Sequence, residues 1–318
     1  MNIGLDMMGG DFAPLEAVKG LQLYMQGNDH AASLFCIGDE EIIRPLLEKH
    51  GLSGIANIQV IHAPETIGYH EHPTKALKEK QRSSIAVGFY LLATGKIDAF
   101  ISAGNTGAML VGAMFNIKVT EGVLRPTIAT IIPKLDGSTG LLLDVGLNAD
   151  CKPEQLNQFA ILGSLYAKNM LGIEQPRVGL VNVGEEEGKG NMLAQATYPL
   201  LKENTHIHFI GNIEGRDILN ERSDVMVCDG FTGNIILKLA ETFYDITQKR
   251  GYGNDGYFSR FHYENYGGTP VLGVNKPVII GHGISNAKAF QNMIHEAEKM
   301  IQSDLCGKMA LEFRNADN

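Results

Sequence analysis

Short runs of β-branched and aliphatic residues recur along this chain: NIGLD, SLFCIGD, NIQVIHA, DAFISA, TIATIIP, GLLLDVG, RVGLVNVG, HIHFIGN and DVMVCDG. Between them the apolar spacing changes to that of amphipathic helices. This rhythm predicts a mainly parallel sheet with helices on both faces. In such sheets ligands gather at the carboxyl ends of strands, where loops turn into helices. The alternation breaks at 251–268, rich in glycine and aromatic residues, which reads as a surface excursion from one α/β domain spanning 1–318. DAFISAGNTG and DVMVCDGFTG each place an Asp eight residues before a Thr-Gly turn. A shared turn requirement accounts for that echo as well as duplication does.

With 318 residues and 44% hydrophobic content, the chain buries a substantial core without external staples. Cys36, Cys151, Cys228 and Cys306 are scattered without CxxC spacing, so neither a disulfide framework nor a zinc knuckle is expected. No basic-then-apolar leader and no bilayer-length apolar run stands out, and a reducing cytoplasm fits best. A formal charge of -9 argues against sequence-independent nucleic-acid binding, so an anionic partner must meet a local basic patch.

Several loops carry chemistry. GEEEGKGN, Gly184 to Asn191, follows RVGLVNV and leads into a helix. It is not a nucleotide P-loop: only three residues separate its first glycines, and Gly190 rather than Ser or Thr follows Lys189. Its glycines still let backbone N–H groups approach an anion at a helix start. Lys189, flanked by Gly188 and Gly190, reads as an anion ligand, the alternative being a solvated surface lysine. SAGNTGAM places Gly104, Asn105 and Thr106 at another strand-to-helix turn, where capping and ligand contact are both open. DGFTGN presents Thr232 and Asn234 in the same way. Neither turn is a dinucleotide fingerprint, so NAD is not expected.

Asp11 ends the turn MMGGD, with Pro14 placed for the first turn of a helix, and serves equally as a cap or a site residue. Asp144 and Asp150, in DVGLNAD, would repel a phosphate and are assigned at most the orientation of other groups. His62, His70 and His72 lack metal-ligand spacing, and no metal or other cofactor is predicted. His206 and His208 share a strand face and read as structural. His282 lies between two glycines after the strand PVII and is a candidate site residue. Cys151 tempts a nucleophile assignment, but no histidine stands near it in sequence.

In order, LDMMGGDFAP, SAGNTGA, LLLDVGLNAD, GEEEGKGN, GNIEGRD, DGFTGN, YGGTPVLG and GHGISNAKAF resemble the PlsX family of phosphate acyltransferases across nearly the whole chain. Leu147 and Ala149 depart mildly from that pattern. A larger departure is TQKRGYGNDGYFSRFHYEN, where family members commonly carry a longer apolar and basic hairpin implicated in membrane contact. The resemblance implies a three-layer α/β/α sandwich related to phosphotransacetylases and isocitrate-dehydrogenase-like folds. It also implies a homodimer, an acyl carrier protein substrate, inorganic phosphate as acceptor, and a role at the start of phospholipid synthesis. The product would pass to a membrane glycerol-3-phosphate acyltransferase, with the enzyme cytoplasmic or peripheral at the inner face of the cell membrane.

Phosphate already supplies nucleophilic oxygens near neutral pH, so direct attack on the thioester needs no protein nucleophile. Lys189 with its neighbouring glycines, helped by Asn105 and Thr106, is expected to bind phosphate, and Asn234 to stabilise the tetrahedral oxyanion. Asp11, Asn191 and Thr232 are expected to contact substrate, and His282 to shuttle a proton. Lys249, Arg250 and Arg260 are expected to dock the acidic carrier protein. A CoA-dependent phosphotransacylase and a non-catalytic carrier-binding scaffold are the competing readings.

Overall fold

The computed structural model describes residues 1–27, 31–251 and 255–316. Its strands are β1 (Asn2–Asp6), β2 (Ser33–Gly38), β3 (Ile58–His62), β4 (Ala99–Ser102), β5 (Thr127–Pro133), β6 (Thr139–Leu143), β7 (Arg177–Val181), β8 (His208–Ile213), β9 (Val225–Val227), β10 (Gly268–Leu272) and β11 (Val278–Gly281). The helices are α1 (Leu15–Gln26), α2 (Glu40–Lys49), α3 (Pro73–Glu79), α4 (Ser84–Ala93), α5 (Thr106–Gly112), α6 (Pro153–Met170), α7 (Met192–Glu203), α8 (Gly230–Lys249), α9 (Ala287–Gln302) and α10 (Leu305–Ala316). A π-helical turn, Ala113–Lys118, continues α5. Every run read as a strand forms one, and the mixed α/β class with mostly parallel pairing is borne out. β10 is additional, and Pro14 sits at the N-cap of α1 rather than inside it.

The chain divides into two compact units, Met1–Thr120 with Tyr263–Cys306, and Glu121–His262 with Gly307–Asn318. In the first, the strand order is β3-β2-β1-β4-β11-β10, parallel except for β10 against β11. Phe100 of β4 faces α4, meeting Phe89 edge-on with centroids 5.2 Å apart, a contact worth roughly 0.5–1.5 kcal/mol beyond area burial. On the opposite side, Met293 of α9 packs against Gly281 of β11. The second unit has the order β5-β6-β9-β7-β8, with only β5 and β6 antiparallel. Val178, Leu180, Val225, Met226 and Val227 form its buried centre.

Of the predicted excursion, 252–254 lie outside the described residues. Within the described rest, aromatic residues anchor the segment. Phe261 is buried and meets Phe243 of α8 edge-on at 5.4 Å. Aromatic burial drives this packing, and the glycines that suggested a loop only shape its turns. Among the described residues no helix is long and apolar enough to cross a membrane.

Candidate active site

The parallel neighbours β6, β9 and β7 bring three loops to one edge of the second sheet: 144–150, 228–234 and 182–191. Asn191 accepts a hydrogen bond from Ala194 N at 2.8 Å and caps α7; Asp229 accepts one from Thr232 N at 2.9 Å and caps α8. Between these helix starts lies a pocket of about 200 Å³, lined by Val181, Asn182, Asn191, Cys228, Asp229 and Thr232 among others. The Thr232 hydroxyl donates to the second Asp229 oxygen at 2.9 Å. Asn191 and Thr232 therefore share a pocket, each with its side chain engaged in a cap.

The glycine loop is held from several sides. Asn182 Nδ2 donates to Lys189 O at 3.1 Å, Asn212 Nδ2 to Glu186 O at 2.8 Å and Gln195 Nε2 to Gly190 O at 2.9 Å. Gly190 has φ +95°, and a Cβ there would stand 2.3 Å from Asn182 Oδ1, so no other residue fits this turn unstrained. Gly188 is exposed with open space beside it. Glu187 pairs with Lys202 at 2.9 Å, and Glu185 with Arg222 at 2.8 Å and Arg216 at 3.4 Å. Lys189 lays its stem across Gly184, and its exposed ammonium makes no ion pair among the described residues. Two of the loop's three glutamates are thus paired away from the lysine, Glu186 lies near Gly184 without an ion pair among the described residues, and Lys189 stays available to an anion.

Asp144 is fully buried and accepts from Ile128 N, Leu147 N, Asn148 N and Asn148 Nδ2 at 2.5–3.3 Å. Its carboxylate organises the 144–150 loop. Against this loop sits α8: a Cβ on Gly233 would come within 1.8 Å of Asp144 O. Asn234, one residue on, is exposed, lies against Gly146 and has no hydrogen bond within the described residues. Its amide is free to donate.

In the first unit, β1, β4 and β11 bring Asp11, the 104–106 turn and His282 to adjacent strand ends. Asp11 N donates to Gly283 O at 2.7 Å, with its carboxylate exposed. The Gly104 N–H donates to Ser102 Oγ at 3.0 Å, and Ser102 Oγ donates to the buried Asp6 at 2.6 Å. Burial pushes the Asp6 carboxyl up, against hydrogen bonds from Ser102 and the following backbone. Asn105 Oδ1 accepts from Ala108 N at 2.9 Å, capping α5, while its Nδ2 donates to Gly68 O at 2.9 Å and lies 3.3 Å from Tyr69 O and Glu71 O. That side chain is fully engaged in holding backbone. Thr106 is exposed, with no side-chain bond among the described residues. The His282 ring faces Tyr263 at 5.6 Å. Candidates for phosphate and substrate contact thus divide into Asp11, Gly104, Asn105, Thr106 and His282 in one unit, and Gly188, Lys189, Gly190, Asn191, Thr232 and Asn234 in the other.

Lys249 ends α8 and Arg250 caps it, both exposed. Arg260 differs from its expected docking role: its Nη2 donates to Ser138 O at 2.6 Å, tying the segment to the β5–β6 turn.

No thiol is primed. Burial, with added repulsion from Asp144, pushes Cys151 up to about 12; burial pushes Cys36 and Cys306 up to about 12 and Cys228 well above the ordinary value. Among the described residues, the carboxylates close enough to share a cation are Glu185, Glu214 and Asp217, and Arg216 and Arg222 already pair with them.

Sequence reasoning missed Asn182 and Asn148, which act through backbone carbonyls, and the Glu185 clamp. The GNIEGRD run was the available signal for the clamp, because it carries Glu214, Arg216 and Asp217.

The family described as "Fatty acid synthesis protein" matches residues 1–249 and 255–308. Curated relatives named "Phosphate acyltransferase" include one from Aquifex aeolicus, 42% identical over 99% of this chain and 97% of its own length. Another, from Dictyoglomus turgidum, is 40% identical over 97% and 96%. The chain belongs to the PlsX family of phosphate acyltransferases. As a member of the phosphate acyltransferases it is an enzyme that moves an acyl group to phosphate. Among solved structures, a phosphotransacetylase from Streptococcus pyogenes shares the fold, with TM-score 0.65 and 19% identity over 95% of this chain and 94% of that one. A 4-hydroxythreonine-4-phosphate dehydrogenase from Klebsiella pneumoniae aligns with TM-score 0.56 at 13% identity over 95% and 98%. The expected kinship of fold with phosphotransacetylases is borne out.

Proposed function

We propose that this acyltransferase takes a fatty acyl group from an acyl carrier protein thioester and gives it to inorganic phosphate, for phospholipid synthesis. A phosphate oxygen forms the new bond to the acyl carbon, the carbon–sulfur bond breaks, and the carrier thiol leaves as a thiolate that needs little acid help. The observation that carries the reading is the Lys189 ammonium, held on a clamped glycine loop with no carboxylate paired to it. Lys189 and the adjoining N–H groups hold phosphate beside the thioester, which turns an encounter into a nearly intramolecular step. The unpartnered Asn234 amide donates to the oxyanion, a contribution worth about 100- to 1,000-fold in rate. Four thiols with raised pKa values favour direct attack over an acyl-cysteine.

Thr106 is the better phosphate contact in its turn, since Asn105 already spends both side-chain ends on backbone. Asp11 and His282 remain proposed for substrate contact and proton movement. We further place the enzyme in the cytoplasm as a homodimer, peripheral to the membrane where a glycerol-3-phosphate acyltransferase consumes its product.

Acyl carrier protein charged with palmitate, mixed with enzyme and phosphate, should give a product that hydroxylamine traps as hydroxamate, dependent on both substrates. Equal or better use of palmitoyl-CoA would favour a CoA-dependent phosphotransacylase. Carrier binding without any hydroxamate would favour a scaffold.

A further inference from the structure

Helix α4 is at odds with its surroundings. None of its ten residues, SIAVGFYLLA, is charged, a composition that ordinarily means burial on all sides. Ile85, Phe89 and Leu92 are buried, but Ala86 and Val87 are only half-buried and Tyr90 is 59% exposed. Their spacing puts Ala86, Val87 and Tyr90 on one face. With Leu77, Gln81 and Asn116 they line a groove of about 360 Å³, and Phe115 beside it is 72% exposed. Uncovered aliphatic and aromatic side chains interleaved with the polar Gln81 and Asn116 make a mixed surface of the kind found at non-obligate protein interfaces.

The segment that supplies Leu77 and Gln81 to the groove is cationic. From Pro73 to Arg82 the chain has four basic residues, Lys75, Lys78, Lys80 and Arg82, and one acid, Glu79, a net +3 in a chain of net charge -9. Lys80 is engaged by Glu71 at 2.6 Å, and Lys75 stands loosely 3.9 Å from Glu79. The side chains of Lys78 and Arg82, both exposed, form no ion pair among the described residues. The segment beside the groove therefore carries positive charge without ion partners, on a protein whose overall field repels acidic partners.

We propose that this groove on α3, α4 and the π-helical turn is the docking surface for an acidic, helical protein partner. The partner's apolar face lies on Val87 and Tyr90, and its carboxylates face Lys75, Lys78 and Arg82. The proposal rests on the reading above in taking the acidic acyl carrier as that partner. Position supports it: Pro73, the first residue of α3, packs against Gly107 in the first turn of α5, whose N-cap is Asn105. The seven residues of α3 span about 10 Å, so a docked partner stands close to the 102–106 strand-end turn. Lys249 and Arg250 are a weaker alternative, two cations at a helix end where they offset the dipole, and Arg260 is engaged by Ser138 O. The concave groove also suits a helix better than a flat bilayer.

The probe is acyl carrier protein bearing no acyl group, titrated onto the full-length enzyme by fluorescence anisotropy. Lys78→Glu with Arg82→Glu should raise Kd roughly tenfold or more, and Tyr90→Ala about fivefold. Raising salt from about 0.05 to 0.5 M should weaken the parent complex more than the charge-reversed one. Lys249→Glu with Arg250→Glu should bind as the parent does. Circular dichroism melts check folding, and Arg82→Gln alone provides a milder variant. Binding without an acyl group is read apart from hydroxamate formation, so loss of the reaction and loss of the docking site are distinguishable. Unchanged affinity in the 78/82 pair, or loss only in the 249/250 pair, overturns the proposal. So does a Tyr90→Ala effect confined to sedimentation, which would give the groove to a second copy. Loss of binding to anionic phosphatidylglycerol vesicles with carrier affinity intact would give it to a membrane.

Discussion

Arg222 Nη1 lies 2.8 Å from Glu185 Oε1 and 3.2 Å from Asp217 Oδ2, so one guanidinium joins the glycine loop to the 214–222 segment. The Arg222 hydrogen bond and charge hold the Glu185 carboxyl below its usual range. Without Arg222, Glu185 would keep only the longer 3.4 Å contact to the exposed Arg216 and, four residues from Lys189, would compete with phosphate more readily. Arg222→Gln should raise the phosphate KM roughly two- to fivefold with a smaller change in kcat, the scale of an exposed ion pair. Arg222→Lys, which keeps a cation between Glu185 and Asp217, should recover part of the loss. If KM stays at the parent value in Arg222→Gln, the clamp does not position the loop.

Lys189 makes the sharper case, because nothing in the fold depends on its ammonium. A charge-assisted hydrogen bond contributes about 1.5–3 kcal/mol, so Lys189→Ala should lower kcat/KM for phosphate roughly 10- to 100-fold. The melting temperature should hardly change, as expected for an exposed side chain. Phosphate saturation curves and thermal melts on the same samples check both halves. Normal phosphate kinetics in a folded Lys189→Ala protein would remove the lysine from the site.

Direct attack by phosphate predicts that the thiols are dispensable. Replacing Cys36, Cys151, Cys228 and Cys306 by Ala should leave kcat within a few-fold once folding is confirmed, since burial disfavours each thiolate. The two deeply buried positions, Cys36 and Cys228, are where stability would suffer. Mass spectrometry of enzyme quenched during turnover should find no acylated cysteine, and a kinetically competent acyl-enzyme would overturn the mechanism.

The strands were legible because their patterns are local: β-branched runs bounded by turns need no knowledge of distant residues. β10 was not, since GTPVL is short, contains Pro270 and is defined by its pairing with β11. The chain's return at Tyr263 to the unit that it left at Thr120 is likewise a property of contacts rather than of composition. For the candidate site, the strand-end placement of Lys189 and Asn234 and the absence of a side-chain partner for each among the described residues agree with what their loops suggested. Asn105 shows the limit: its cap was readable, but its hold on Gly68 O, 37 residues away, was not. The Arg260 bond to Ser138 O, 122 residues away, was unreadable for the same reason.

Lys134 gives a prediction of opposite character, about stability rather than turnover. It is 1% exposed, with Nζ donating to Ile218 O at 2.7 Å and lying 3.4 Å from the Met226 sulfur. Burial brings its pKa down from 10.5 to about 8, partly offset by the charge of Asp224. Below about pH 8 the ammonium is charged in the folded and unfolded chain alike, and the cost of burying it is fully present. Between about 8 and 10.5 the unfolded chain binds the proton more tightly, so folding stability rises with pH through that window. The gain is on the order of 3 kcal/mol at most, from 1.36 kcal/mol per pKa unit. Lys134→Met keeps an unbranched chain in the same space and removes the charge, at the expense of leaving Ile218 O without its donor. Urea unfolding of both proteins across this window should therefore show parent stability climbing relative to Lys134→Met as pH rises. A difference between the two that stays constant with pH would mean that folding does not lower the Lys134 pKa, and that burial costs its ammonium nothing that the hydrogen bond to Ile218 does not offset.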